Sequence, residues 1–412
     1  MGSSRLTGVD VARALALIGM FATHTMPLVD SSTGAPTATW VAYLFAGKAS
    51  ALFATLAGVG LALLTARTWA QRTKKSRSRS AAPTMGAQRR GIAARAAFIM
   101  VLGFLAAEFS SGIAVILVHY AVLFLFALAL IQATVKQLLW LGVGWLALSP
   151  VVLFFVRAWA YANVAPYRTS GPVFMDFLRP QTLLADLFAT GYYPLIVWPV
   201  YLIAGLLVGR LLHTSSNVWA VSWRITRWGF AMTFVAYAIS WRLINANWSS
   251  LVGVANTSSD ELRAALISGQ GLSDFQYSPW WFMLSAPHSG TQLDLLLTVG
   301  TSLAVLGLCL MLCKALEGAL KFVGQALTWP LAGAGSATLT LYVGHIIALD
   351  LFSNELATLE PLHRWLIFTV VALLFGVFIS WKQVRGPLEW INHSIAAHAS
   401  GQPHPSGPRA SS

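Results

Sequence analysis

The chain has 412 residues, of which 57% are hydrophobic and 10% are charged, and its formal net charge is +13. So few charged side chains cannot cover a 44.4 kDa protein with water-facing surface, which excludes a soluble protein and indicates an integral membrane protein. Two cysteines, Cys309 and Cys313, are too few for a disulfide framework or a cysteine zinc site. Nine basic residues lie in 67–95, an interval without acidic residues, which is typical of a membrane-topology determinant and not of a nucleic-acid surface.

Apolar runs long enough to span a bilayer recur along the whole chain. A spanning helix needs about 20 apolar residues to cross a hydrocarbon core of about 30 Å. The sequence therefore predicts an all-α bundle of about ten transmembrane helices, with approximate bounds 9–29, 41–66, 93–111, 113–131, 138–158, 191–213, 228–248, 291–314, 333–353 and 365–381. The first run lacks a small-residue cleavage site, so we interpret it as a retained helix and not a signal peptide.

The distribution of Lys and Arg between the loops predicts two cytoplasmic termini and a multi-pass protein of the inner (plasma) membrane. Residues 1–390 then form one transmembrane domain. It has a basic cytoplasmic loop at 67–92, which either sets topology or attracts an anionic cofactor. The outer loops 159–190 and 249–290 either fill space or bind an acceptor. Residues 391–412 are predicted to be a disordered cytoplasmic tail.

Ionisable residues inside apolar spans cost about 3 kcal/mol each to insert, so each needs a partner or a function. Counting about 1.5 Å per residue from the predicted helix ends places six of them at similar depth in the outer half. One hypothesis is a single hydrated cavity that opens outward; the other is buried ion pairs, Glu108 with Lys48 or Arg242, that hold the bundle together. The six residues are His24, Lys48, Glu108, His119, Arg242 and His345.

Two of the predicted helices carry polar stripes. Steps of three and four residues put Asp10, Arg13 and His24 on one face of the first helix, with its ends about 21 Å apart. In the ninth helix, Tyr342 and His345 share a face beside small residues that permit close helix approach. We therefore expect His345 to meet His24. Each histidine has a purely structural alternative, as a hydrogen-bonding group between helices.

Soluble-enzyme signatures such as a GxSxG elbow, HExxH, a Walker loop or a complete GxGxxG do not occur in the sequence. Two function classes are compatible with the residues. One is an enzyme that transfers a group at the membrane through an imidazole, and the other is a transporter or flippase that uses the intramembrane polar groups as a relay. Matching pairs of broken helices would favour transport, and the sequence has no clear pair.

Several segments together resemble a known superfamily. RLTGVDVARALALIGMFATHTMPLV and FAGKASALFATLAGVGLALL are similar to the start of bacterial proteins related to heparan-alpha-glucosaminide N-acetyltransferase. The segments PHSGTQLDLLLTVGTSLAVLGLCLML, GAGSATLTLYVGHIIALDL and RGPLEW resemble the bacterial family catalogued as domain of unknown function four-eighteen. Both belong to a transmembrane acyltransferase superfamily, and the resemblance covers residues 5–390 as an ordered set of motifs.

The resemblance implies transfer of an acyl group, usually acetyl, from cytosolic acetyl-CoA to a hydroxyl or amine of an extracytoplasmic glycan or glycolipid. A trehalose mycolate is the first candidate acceptor. No metal is expected, and a homodimer is compatible with this reading. The site residues that we predict have three roles. The predicted catalytic residues are His24, as general base or nucleophile, His345 and Glu108. The predicted substrate-binding residues are Lys48, Arg242, Tyr342 and Asp294. The predicted cofactor-binding residues are Asp10, Arg13, Arg89, Arg90 and Arg95.

Overall fold

The structure is a computed structural model that describes residues 6–32, 34–73, 84–109, 112–164, 171–319 and 321–401. It is 80% helical, which confirms the predicted all-α class. A two-stranded antiparallel ribbon pairs β1 (Val29–Asp30) with β2 (Thr37–Ala38). The α-helices are α1 (Thr7–Thr25), α2 (Trp40–Phe45), α3 (Lys48–Leu64), α4 (Ala66–Thr73), α5 (Met85–Ala107), α6 (Leu117–Leu130), α7 (Val135–Asn163), α8 (Pro180–Ala185), α9 (Pro199–Thr214), α10 (Val218–Ala246), α11 (Trp248–Ala255), α12 (Ser259–Ser268), α13 (Gln292–Ala319), α14 (Lys321–Ser336), α15 (Thr338–Leu351), α16 (Ser353–Ala357), α17 (Pro361–Lys382) and α18 (Pro387–Ala399).

Local sequence explains several of the helix ends. The N-terminus of α7 has a capping box, in which Thr134 and Gln137 satisfy each other's backbone N–H groups. Ser258 and Glu261 do the same for α12, which ends at Gly269 with φ +78°, a conformation that favours glycine. A proline occupies the first turn of α9, α17 and α18, where the missing N–H group would have no partner in any case.

Helices lie at all ten predicted span positions. Within the described residues, five helices are long and apolar enough to cross a membrane, and a sixth span results if α14 and α15, bent by 79°, count as one. Helix α1 is not among the five, and it carries the ionisable residues Asp10, Arg13 and His24. A membrane protein is therefore supported, whereas the count of ten spans and the sides of the termini stay predictions.

Some predicted boundaries are wrong. The sixth predicted helix begins at Pro199 and not at residue 191, because residues 191–198 form bends and turns, of which 191–193 line a cavity. The predicted disordered tail starts with a helix, since α18 continues to Ala399. The remainder of that tail, 402–412, and the middle of the basic loop, 74–83, lie outside the described residues.

Helix α1 occupies the centre of the bundle, in contact with α3, α13, α14 and α17. Close approach there depends on glycine, because a Cβ added at Gly335 would lie 1.7 Å from the carbonyl oxygen of Asp10. The outer helices differ in burial: the most apolar stretch of α7 or α17 is 17% buried, against 67% for Trp40–Leu64. The polar groups of α1 are thus enclosed by other helices, and α7 and α17 present apolar side chains at the periphery.

Candidate active site

Two histidines meet inside the bundle. Nδ1 of His24, in the last turn of α1, lies 2.9 Å from Nε2 of His345 in α15, and the two rings are inclined by only 9°. One hydrogen bond can join these atoms when one ring donates and the other accepts. The contact predicted between His24 and His345 is confirmed.

Aromatic rings surround His345. The centroid of its ring lies 4.7 Å from that of Phe21 and 5.2 Å from that of Tyr342. Tyr342 is 1% exposed, and its hydroxyl oxygen accepts a hydrogen bond from the backbone N–H of Ile116 at 3.3 Å. Tyr342 was predicted to bind substrate. The structure instead places it behind His345, outside the cavity lining, because its helix face points into the core.

The helix that carries His345 starts at the bend after α14. Glu389 of α18 accepts hydrogen bonds there from the backbone N–H groups of Leu339 and Thr340 and, at 2.6 Å, from the Thr340 hydroxyl. Burial raises the pKa of Glu389. This carboxyl caps the first turn of α15, whose backbone N–H groups have no partner within the helix. Sequence analysis assigned it no role, although it lies in the RGPLEW segment.

A cavity of about 670 Å³ opens beside His24. Its wall comes from the end of α1, the α2–α3 junction, residues 112–114 and 191–193, and the loop segments 269–273 and 281–289. The long loop 249–290 therefore contributes to a concave site, which favours the acceptor-binding interpretation of that loop. We call this space the His24 cavity.

A third histidine lines the His24 cavity, and sequence analysis did not select it. His288 has φ 60°, a conformation that non-glycine residues rarely adopt, and it lies in the turn of the PHSG segment. Two glycines with positive φ, Gly47 and Gly269, pack against the preceding Pro287, where added Cβ atoms would lie 3.0 and 2.4 Å from it. Burial lowers the pKa of His288 to about 3, so its imidazole is neutral at pH 7.

Buried charged residues hold this turn. Arg157 donates hydrogen bonds to the carbonyl oxygens of Ala189 at 2.9 Å and Ser289 at 3.2 Å. Asp294 accepts one from the N–H of Gly290 at 2.9 Å and interacts electrostatically with Lys48. Asp294 was predicted to bind substrate. It lies behind the turn, outside the lining of the His24 cavity, and supports the backbone.

The other end of α1 carries an ion pair. Nη1 of Arg13 lies 2.9 Å from Oδ1 of Asp10, and the Asp10 side chain is the more buried of the two. A Cβ added at Gly60 would lie 2.8 Å from Nη2 of Arg13, so the glycine leaves room for the guanidinium. Arg13 also interacts electrostatically with Tyr120. A partly exposed guanidinium in such a cradle fits the phosphate groups expected of coenzyme A.

The arginines predicted to bind the cofactor with Arg13 have other contacts. Nε of Arg90 donates to the carbonyl oxygen of Ala399 at 3.1 Å, and Nη2 of Arg95 lies 3.3 Å from Nδ1 of His393. Both partners belong to α18. Arg89 is exposed to solvent at the start of α5.

Three further predicted site residues lie elsewhere. The carboxylate of Glu108 is exposed and accepts a hydrogen bond from the N–H of Phe174, so it is not the partner of either histidine. Lys48 Nζ donates to the carbonyl oxygen of Tyr43 at 2.8 Å. Arg242 is exposed on α10. The predicted pairs of Glu108 with Lys48 or Arg242 do not form. Residues at equal depth on different helices can point in different directions, so similar depth does not bring their side chains together.

In the described part of the chain, no three side chains of His, Cys, Asp or Glu come together in a way that could hold a metal ion. His24 lines the open cavity, and His345 lies in contact with it. An imidazole pair of this kind can accept, hold and return a proton.

A bundle of apolar helices with a histidine pair beside an open cavity is the architecture of a membrane protein. Residues 5–244 match the family model described as heparan-alpha-glucosaminide N-acetyltransferase, catalytic. The match covers more than half of the chain, and the protein belongs to this family, as its motifs indicated. An acetyltransferase type of activity follows from that membership. No curated protein matches the chain. His288, His345 and Glu389 lie beyond the matched residues.

Proposed function

We propose that the protein transfers an acetyl group from acetyl-CoA to a hydroxyl or amine of an acceptor that enters the His24 cavity. The observation that carries this proposal is the 2.9 Å contact between His24 and His345, made where His24 also lines the cavity. His24 is the general base, and His345 is its positioning residue. We place the cavity on the extracytoplasmic side of a bundle of about ten spans with cytoplasmic termini, as the Lys and Arg distribution predicts.

The histidine contact permits two tautomer arrangements, and one of them suits a general base. When Nδ1–H of His24 donates to Nε2 of His345, the lone pair of Nε2 on His24 is left to accept a proton in the cavity. His345 then fixes both the ring orientation and the tautomer of His24, as a hydrogen-bonded partner does for other catalytic imidazoles. The packed rings of Phe21 and Tyr342 hold His345 in place.

The chemistry balances with these two residues. His24 Nε2 takes the proton of the acceptor hydroxyl or amine while the acceptor oxygen or nitrogen bonds to the acyl carbon. The carbon–sulfur bond breaks as the tetrahedral intermediate collapses, and His24 returns the proton to the sulfur. His345 stabilises the transient imidazolium by accepting its Nδ1–H bond. General-base assistance of this kind accounts for about 10² to 10⁴ in rate.

The donor binds at the cytoplasmic end in this proposal. Arg13 supplies a guanidinium for the phosphates, and the buried Asp10 carboxylate orients it. About 21 Å of helix separates residue 10 from residue 24, so one helix presents both the phosphate contact and the base. Arg89, Arg90 and Arg95 add positive charge on that side.

Transport of a lipid or small molecule is the second candidate, and the 79° bend between α14 and α15 favours it, because broken helices form many transporter sites. The described residues contain one such pair. A transporter would move a labelled glycolipid across a vesicle membrane without forming an acetylated product. That measurement separates the two functions.

The His24→Ala variant tests the enzyme proposal. Acetyl transfer in vesicles given acetyl-CoA and a competent acceptor should fall by about a hundredfold or more, because no other group takes the proton. The Thr23→Ala variant changes the neighbouring cavity residue without removing an imidazole and should keep most activity. Both variants should keep the melting temperature of the parent protein. Transfer at the wild-type rate by His24→Ala would refute the role of His24.

A further inference from the structure

One wall of the His24 cavity is built from aromatic rings. The ring centroid of His288 lies 4.1 Å from that of Tyr192 and 5.7 Å from that of Tyr193, and the two tyrosine rings meet edge to face at 5.1 Å. Trp281 lines the same cavity. Flat aromatic surface with polar groups at its edge is suited to a ligand that has both C–H faces and hydroxyl groups.

The backbone around this wall is constrained to present it. His288 adopts its positive φ although it is not glycine, and Gly47 and Gly269 accept positive φ to pack on the preceding Pro287. Positive φ at a non-glycine residue is a strained backbone conformation, and such conformations cluster at functional sites. Arg157 and Asp294, both buried, hold the same turn through backbone hydrogen bonds. The fold thus stabilises an orientation of His288 that local preference alone would disfavour.

The charges around the cavity limit what can enter. Among the described residues that line it there is no Asp, Glu or Lys, and the lining guanidinium of Arg157 donates to two carbonyl oxygens. An ammonium group that lost its water shell here would face a guanidinium and no carboxylate, which is unfavourable. A phosphate would need a set of free donors, whereas two donors of Arg157 are already used by the backbone.

We infer that the wall formed by Tyr192, Tyr193, Trp281 and His288 is the acceptor subsite and that it takes an uncharged sugar, whose hydroxyl group is acylated. This inference rests on the proposed function and narrows it from a hydroxyl or amine to a hydroxyl. The partly exposed ring of Tyr192 covers a face of the sugar, and His288 hydrogen-bonds a hydroxyl at its edge. Tyr193 and Trp281, which are 6% and 2% exposed, are buried and contribute little surface to the lining. His24 takes the proton of the reacting hydroxyl.

Three matched acceptors test the charge preference: octyl β-glucoside, its 2-amino-2-deoxy analogue and its 6-phosphate, each below its micelle concentration. Purified protein in liposomes receives acetyl-CoA, and acetylated product is measured by mass spectrometry. The value of kcat/KM should be at least about tenfold higher for the neutral glucoside than for either charged analogue, which corresponds to about 1.4 kcal/mol. An amine or a phosphate ester that equals or exceeds the glucoside overturns the inference and leaves acyl transfer intact.

Two variant pairs locate the preference at this wall. Tyr192→Ala should raise the KM for the glucoside about tenfold without changing the KM for acetyl-CoA, and Tyr192→Phe, which keeps the ring, should raise it less. Gln270→Glu places a carboxylate at the cavity lining with almost unchanged shape, so it should shift preference several-fold toward the amine. Gln270→Asn is its neutral control. Equal effects within either pair would contradict the assignment.

Direct binding of the three radiolabelled glycosides tests the acceptor subsite separately from the proposed acyl transfer. Selective glucoside binding that Tyr192→Ala abolishes, without any acetylated product, would keep the subsite and refute acyl transfer. Binding without selectivity would refute the subsite, whether or not transfer occurs.

Discussion

The two ends of α1 differ in how they handle polarity. At one end, Asp10 and Arg13 form an ion pair, and Gly60 makes room for the guanidinium. At the other, His24 meets His345 among aromatic rings, beside a cavity whose described lining includes no carboxylate. A permanent ion pair can bind a charged group but moves no proton, whereas an imidazole pair can move a proton without carrying a fixed charge. In the proposed function, one helix therefore separates binding of a charged donor from the chemistry.

The largest expected effect concerns the sides of the membrane on which these two ends lie. Asp260→Cys and Arg89→Cys place thiols at exposed positions, and the native Cys309 and Cys313 are buried. In intact cells, a membrane-impermeant thiol reagent should label Asp260→Cys and should label Arg89→Cys only after permeabilisation, because basic segments stay cytoplasmic. The reverse labelling pattern would show that the predicted topology is inverted and that the donor and acceptor sites are assigned to the wrong sides of the membrane.

The next effect concerns the histidine end. His345→Leu should lower kcat by up to about a hundredfold while the KM for acetyl-CoA stays constant, because His24 loses the acceptor that sets its tautomer. His345→Gln offers an amide oxygen to the same N–H and should recover part of the rate. Steady-state kinetics with both substrates measures this. Equal losses in the two variants would indicate that His345 only fills space.

The smallest effect concerns the ion-pair end. Arg13→Ala should raise the KM for acetyl-CoA about tenfold at constant kcat, because a hydrogen bond to a charged group contributes about 1.5 to 3 kcal/mol. Stabilisation of the purified protein by coenzyme A in a thermal melt should weaken in parallel and should persist in His24→Ala. Arg90→Ala is the control, since Arg90 bonds to Ala399. A similar loss in the control would assign the effect to general positive charge.

Periodicity and polarity predicted much of this architecture. Apolar runs located the helices, and steps of three and four residues predicted correctly that Asp10 and Arg13 share a face and that His345 meets His24. These features follow from the geometry of single helices and from the rule that buried polar groups find partners. Their roles in binding and catalysis stay predictions.

Other site features depend on information that is not local. The sequence predicted how deep each residue lies along its helix, but not the direction in which its side chain points. Glu108 and Arg242 were therefore predicted at the site, whereas the structure places both of them outside it. His288 lies in a turn whose conformation is set by Pro287 packing on glycines distant in the sequence. Glu389 caps a helix that begins fifty residues earlier, at a bend that hydrophobicity alone does not reveal. Only the assembled tertiary contacts define these positions.

The helix α18 connects the helix that carries His345 to the basic helix α5. Its Glu389 secures the start of the helix that carries His345, and its Ala399 and His393 bond to the basic helix α5. These contacts define where the chain can be extended or truncated. Tags and fusions belong after residue 401, whereas a truncation before residue 387 would remove both the carboxyl that caps α15 and the two hydrogen-bond partners of α5.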